Sequence, residues 1–182
     1  SIEEDNLLYF KYKINPSQKY IAVLFNTHLY NWGGNQIIEM LSSVIDNLIE
    51  KFNYNVILIA HEVNDERIID DRYVNRIIWE LCKNKERILN IQDDLRANEI
   101  KSLIKCCEFT LCSRFHAMVS SLKVCVVPIV IGWADKYYEI MELFNLEHLV
   151  LHYEKCTIKD IESKIVYVQS HKSELQDKIQ KL

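Results

Sequence analysis

The sequence predicts an α/β fold built on a parallel, doubly wound sheet. Three observations carry that expectation: short apolar runs alternate with amphipathic segments from Tyr20 onward, the runs are nearly continuous, and none exceeds strand length. Strands covered by crossover helices on both faces must be apolar throughout, whereas strands with one wet face alternate.

Tyr20 to Asn26 reads as the first strand, and Gln36 to Phe52 as an amphipathic helix with Ile37, Leu41, Val44, Ile45 and Leu48 on one side. Asn55 to Ala60 is the second strand. Arg67 to Cys82 reads as a helix, Arg87 to Ile91 as a strand, and Ala97 to Cys106 as the next helix. Glu108 to Cys112 is a short buried strand, followed by a helix over Arg114 to Lys123 with Phe115, Val119 and Leu122 at helical spacing. Val124 to Ile131 gives a further strand, and His148 to His152 reads more as strand than helix. Thr157-Ile158-Lys159-Asp160 is a capping box with Asp for Glu, opening a helix whose apolar positions are Ile158, Ile161, Ile165 and Leu175. Residues 1–19 read as a linker or N-terminal extension, the remnant of an interdomain connection, and residues 20–182 as a single domain.

Right-handed crossovers place every loop after a strand on one rim of such a sheet, where ligands bind. Asn26-Thr27-His28, His61-Glu62, Ser113 to His116 and Gly132 to Lys136 should converge there. The most informative stretch is Cys112-Ser113-Arg114-Phe115-His116-Ala117, which sets a permanent cation and an imidazole two residues apart where a strand gives way to a helix. Ser113 falls at the expected N-cap. The free N–H groups and dipole beyond it favour an anion, and the forked donor of Arg114 suits phosphate or carboxylate. The same residues also fit a structural role, with Arg114 paired to an acid and His116 packed beneath the sheet. Tyr30 to Asn35 holds two of the 3 glycines and lacks both the Gly-x-Gly-x-x-Gly pattern and a P-loop lysine, so it reads as a weak phosphate cradle or a substrate-facing loop. Its Trp32 either stacks on a sugar or caps the core.

Composition narrows the class. With 182 residues, 49% hydrophobic and 26% charged, the chain is long enough for an independent core. Its 22 basic and 26 acidic residues give a net charge of -4, which argues against general binding to nucleic acid or anionic lipid. No apolar run reaches the length of a transmembrane helix. The 6 cysteines form no Cys-x-x-Cys pair and sit in apolar segments, as buried free thiols of a reducing compartment do, and no metal-ligand spacing occurs.

From Leu95 to Leu146 the chain resembles the polysaccharide pyruvyl transferase family. The resemblance is carried in order by the helix at Ile100 to Ile104, the motif Ser113-Arg114-Phe115-His116-Ala117, the Pro-containing strand Val124 to Ile131, the turn Trp133-Ala134-Asp135-Lys136 and the helix Ile140 to Leu146. Members are usually about twice this long and fold as two Rossmann-like domains facing a cleft, so the chain looks like the C-terminal half of a GT-B-like enzyme. Where members often carry an arginine after the first strand, this chain has Asn26-Thr27-His28.

The resemblance implies transfer of a pyruvyl group from phosphoenolpyruvate to two hydroxyls of a saccharide, in bacterial exopolysaccharide or cell-wall polymer synthesis, in the cytoplasm or at the inner face of the membrane. It makes His116 and Arg114 the catalytic candidates, with Ser113, Arg114 and Lys136 as substrate-binding ones; His28 and Trp32 join the substrate-binding set from their expected place on the rim. It implies no cofactor or metal beyond the donor substrate, a saccharide acceptor, and a partner N-terminal domain without which the isolated chain turns over little. Two other classes fit the same fold: the donor domain of a GT-B glycosyltransferase, and a non-catalytic binding or assembly domain.

Overall fold

A computed structural model describes residues 2–181. Ser1 and Leu182, the first residue of the expected N-terminal extension and the last of the expected domain, lie outside the described residues. The chain runs α1 (Ile2–Lys11), β1 (Tyr20–Leu24), α2 (Thr27–Glu50), β2 (Asn55–Ile59), α3 (Asp71–Leu81), β3 (Ile88–Ile91), α4 (Ala97–Lys105), β4 (Thr110–Cys112), α5 (Phe115–Lys123), β5 (Pro128–Gly132), α6 (Asp135–Leu143), β6 (Val150–His152) and α7 (Ile158–Gln180). The strands form one six-stranded sheet in the order β3-β2-β1-β4-β5-β6, and every pairing is parallel. This is a Rossmann-like, doubly wound arrangement: the chain builds outward from β1 to β3, crosses back, and builds outward again from β4 to β6.

Burial explains why the strands read as they do. Every residue of β1, β2, β4 and β5 is buried, because helices cover both faces. Helix α2 packs on α3 and α7, while α4 packs on α5 and α1. Ile21, Val23, Ile57, Leu58, Leu111, Ile129 and Ile131 are sealed from solvent, and each such side chain stabilises the fold by roughly 1.5–3 kcal/mol. All six cysteines are free thiols, and burial pushes that of Cys112, in a central strand, up to about 12.

Several boundaries differ from the expectation for local reasons. The opening segment holds α1, whose Tyr9 hydroxyl donates to the Ser102 carbonyl (2.9 Å) and whose Asp5 accepts from the Ser102 hydroxyl, tying it to α4. Only Leu8 of α1 is buried, so the segment carries almost no apolar stripe to mark it as a helix. Helix α3 begins at Asp71 rather than Arg67, after an N-cap at Asp70. The predicted strand from Val124 begins at Pro128, because Cys125 has a positive φ of 58° and Val124 closes α5. Proline at the first strand position removes no internal ladder bond. The capping box of α7 is present, with Thr157 and Asp160 bonded reciprocally.

Helix α2 starts at Thr27, nine residues before the expected Gln36, and is interrupted at Gly34 (φ 59°, ψ -153°). That backbone conformation is nearly closed to residues with a Cβ, although nothing lies within 4 Å of where one would stand. Gly34→Ala is therefore expected to cost about 1–3 kcal/mol through backbone strain alone, a loss that thermal denaturation would read as a lower Tm. An unchanged Tm would show that the break relaxes freely.

Candidate functional site

The strand order reverses between β1 and β4, the switch point at whose carboxyl ends sheets of this kind bind ligands. Around it stand the residues that follow each strand: Asn26 to His28 after β1, His61 and Glu62 after β2, Ser113 to His116 after β4, and Trp133 to Lys136 after β5. A buried carboxylate holds three of these loops together. Asp71, fully buried at the start of α3, accepts from the backbone N–H groups of Thr27 (3.2 Å), His61 (3.3 Å) and Glu62 (3.0 Å). It also takes the fork of Arg114, from Nε at 2.9 Å and from Nη2 at 2.8 Å.

Arg114 is thus engaged before any ligand arrives. Its Nη1 donates to Glu62 at 3.2 Å, and its side chain is 14% exposed. One edge of the guanidinium is fixed by a buried partner. The other meets Glu62, whose side chain is 48% exposed and can yield to an incoming anion. Arg114, not Ser113, occupies the N-cap of α5, because the Ser113 hydroxyl turns inward to accept from the Asn26 backbone N–H (2.9 Å). The Ser113 carbonyl accepts from the Tyr137 hydroxyl at 2.9 Å, so this fully buried residue fixes the loop and offers no surface to a ligand.

His116 projects into solvent from the first turn of α5 and stacks on His61, with ring centroids 5.7 Å apart and planes 19° from parallel. Burial, then the neighbouring His116 and Arg114, lower the pKa of His61, against a smaller upward pull from Asp71. The sign of the consequence follows from linkage. As the pH falls below the ordinary value of 6.5, the unfolded chain takes up this proton before the folded one, so stability is whole above 6.5 and falls as the solution is acidified toward the folded value. His148, half-buried beside Tyr167, is shifted the same way by desolvation. Thermal melts at decreasing pH should show a falling Tm, with a shallower slope in His61→Gln; an equal slope would remove His61 from the account.

The remaining candidates form an aromatic group beside β5 and β6. His28 stacks on Trp32 (5.2 Å, 17°), and Trp133 meets Trp32 edge-on at 5.1 Å. Tyr153 tilts against Trp32 at 5.8 Å. Lys136 sits over Phe115 at 4.9 Å, and Phe115 in turn contacts His116. All the predicted site residues therefore lie on one rim, with Ser113 beneath it and Trp32 on its surface, 50% exposed. Among the described residues no group of three or more His, Cys, Asp and Glu is disposed to hold a metal.

A sequence profile of the polysaccharide pyruvyl transferase family matches residues 7–135 of the 182. The chain belongs to that family. The family is one of transferases in polysaccharide biosynthesis, and the matched span takes in β1 to β5 together with Asp71, Arg114 and His116. No curated protein matches the chain. Among the described residues no helix is long and apolar enough to cross a membrane.

Asp71 and His61 are the site residues that sequence reasoning assigned no role. His61 stands at the rim as expected, but its partnership with His116 depends on β2 and β4 flanking β1. Asp71 lies inside a run of charged residues, Asp65 to Arg72, where nothing local separates a buried carboxylate from a solvated one. The Asp70-Asp71 pair falls inside the helix expected from Arg67, so it does not mark a helix start.

Proposed function

We propose that the chain supplies the donor-binding half of an enzyme that transfers pyruvate from phosphoenolpyruvate to two hydroxyls of a saccharide. The observation that carries this reading is the exposed His116 imidazole, held on the first turn of α5 against His61 and two residues from a positioned guanidinium. In the reaction the donor's methylene carbon takes a proton and becomes methyl, while a sugar oxygen bonds to the adjacent carbon and loses its own proton. The bond to the phosphate oxygen then breaks, and the second hydroxyl bonds to the same carbon and closes the ketal as its proton passes to the departing inorganic phosphate. An imidazole can give or take the proton in the first transfer, and His116 presents one, exposed, on this rim.

The donor carries close to three negative charges, so the cations around it matter. The free N–H groups at the start of α5 and the exposed Lys136 supply positive potential. Arg114 reaches the donor through Nη1 once Glu62 swings out. Glu62→Gln should therefore tighten donor binding by about fivefold, since an exposed ion pair is worth roughly 1 kcal/mol at most. Titration of the chain with phosphoenolpyruvate, followed by the ring resonances of His116 and His61, tests both statements. Saturable shifts that strengthen in Glu62→Gln and weaken in Lys136→Ala are expected. Rings that stay unmoved to millimolar donor would sink the reading.

A second reading has one observation in its favour. A guanidinium already clasped by a buried carboxylate is what a non-catalytic descendant of the fold would keep for stability alone. Against it, His116 stays outside that ion pair and exposed, so the same titration decides between them.

A further inference from the structure

A groove of about 500 Å³ runs between the broken start of α2 and the loop after β6. Its walls include Trp32, Gln36, Met40, Tyr153, Glu154 and Cys156. The volume falls within the range of small-molecule sites, roughly 300–1,000 Å³. We infer that this groove is a binding site for an uncharged pyranose unit, and that on the transfer reading it receives the acceptor saccharide.

The chemistry of the walls selects the ligand. Trp32 is 50% exposed yet braced by His28, Trp133 and Tyr153, so its indole offers a fixed apolar face at little entropic cost. A pyranose presents such a face with its axial C–H bonds and directs its hydroxyls to the edges. At those edges stand the exposed Gln36 amide, which donates and accepts, and the Glu154 carboxylate, which accepts and is itself held by the Tyr153 hydroxyl (3.1 Å). No lysine or arginine is among the wall residues, and Glu154 repels phosphate, so a nucleotide or the donor itself is disfavoured here.

The groove is joined to the motif by packed rings. Trp32 contacts Trp133, Trp133 contacts Tyr137 (5.2 Å), Tyr137 contacts Phe115 (5.7 Å), and Phe115 contacts His116 (6.1 Å). A sugar seated on Trp32 would therefore lie on the same rim as the imidazole. The break at Gly34, two residues after Trp32, lets the indole leave the helical path of the rest of α2.

The acceptor role rests on the transfer reading, whereas affinity for a saccharide does not, and the test separates them. The chain is titrated with lactose, cellobiose and chitobiose while the indole N–H resonances of Trp32, Trp79 and Trp133 are followed, with Trp79 on α3 as the internal control. Saturable millimolar shifts at Trp32 and Trp133 with Trp79 unmoved are expected for at least one disaccharide. Trp32→Ala should weaken that binding by at least about tenfold, and Glu154→Gln severalfold, the latter with little dependence on salt because the ligand is uncharged. Donor titration of Trp32→Ala should still move His116. No shift with any of the three sugars up to about 50 mM, an affinity too weak to matter, would overturn the inference. So would self-association of the wild-type chain that Trp32→Ala abolishes, since the face would then be an interface. Sugar binding without donor binding would leave the groove standing and remove the transfer reading.

Discussion

Asp71→Ala is expected to destabilise the chain by about 3–5 kcal/mol, the range found when one partner of a buried ion pair is removed. For a domain of this size that corresponds to a drop in Tm of roughly 6–20 °C. The cause is specific. The substitution strands a guanidinium that is 14% exposed and deprives three backbone N–H groups, those of Thr27, His61 and Glu62, of their acceptor. If the charge dominates, the double variant Asp71→Ala with Arg114→Ala should lose less than the sum of the single losses, because no unpaired cation remains. Strict additivity would mean that the backbone bonds carry the effect. Asp71→Ala should also degrade the donor titration, since the same carboxylate sets the spacing of the loops that present His61 and His116.

His116→Ala, made in a protein that contains both halves of the cleft, is expected to lower kcat for pyruvyl transfer by about 100- to 10,000-fold. The imidazole is exposed and makes only ring contacts, with His61 and Phe115, so Tm should stay nearly unchanged. That combination separates a chemical role from a structural one. The limb of the pH profile that reports the proton donor should disappear in the variant, while the KM for the donor, governed by Arg114 and Lys136, should move less. Turnover within a few-fold of wild type would remove His116 from the chemistry.

The contrast between these two residues shows what the sequence makes visible. Strands β1, β2, β4 and β5 announce themselves because both faces are covered, which forces unbroken apolar runs. The motif at Ser113 to His116 is visible because strand-to-helix turns draw on a small set of residues. Asp71 is invisible because its partners lie after β1, β2 and β4, and a carboxylate leaves the same local signature whether it is solvated or buried. Ser113 shows how chemistry can point the right way for the wrong reason. A serine before a helix suggests an N-cap, but the Asn26 backbone N–H, brought alongside by the pairing of Leu24 with Cys112, competes for the hydroxyl and wins. The early start of α2 was hidden by Gly33 and Gly34, which read as a loop, whereas the helix runs through the first and breaks at the second.

The parallel seam between β1 and β4 joins Ala22 to Thr110 and Val23 to Leu111, positions contributed by opposite halves of the polypeptide. Pairings inside each half close shorter loops and meet a smaller entropic barrier, so this long-range junction is the slow one to form. The loops that carry Asn26 to His28 and Ser113 to His116 leave from its carboxyl end. A polypeptide emerging from the ribosome consequently lacks the assembled rim until β4 has been made and docked, and any ligand held across the junction would act as a clasp on the assembled state, raising the free energy of opening by mass action.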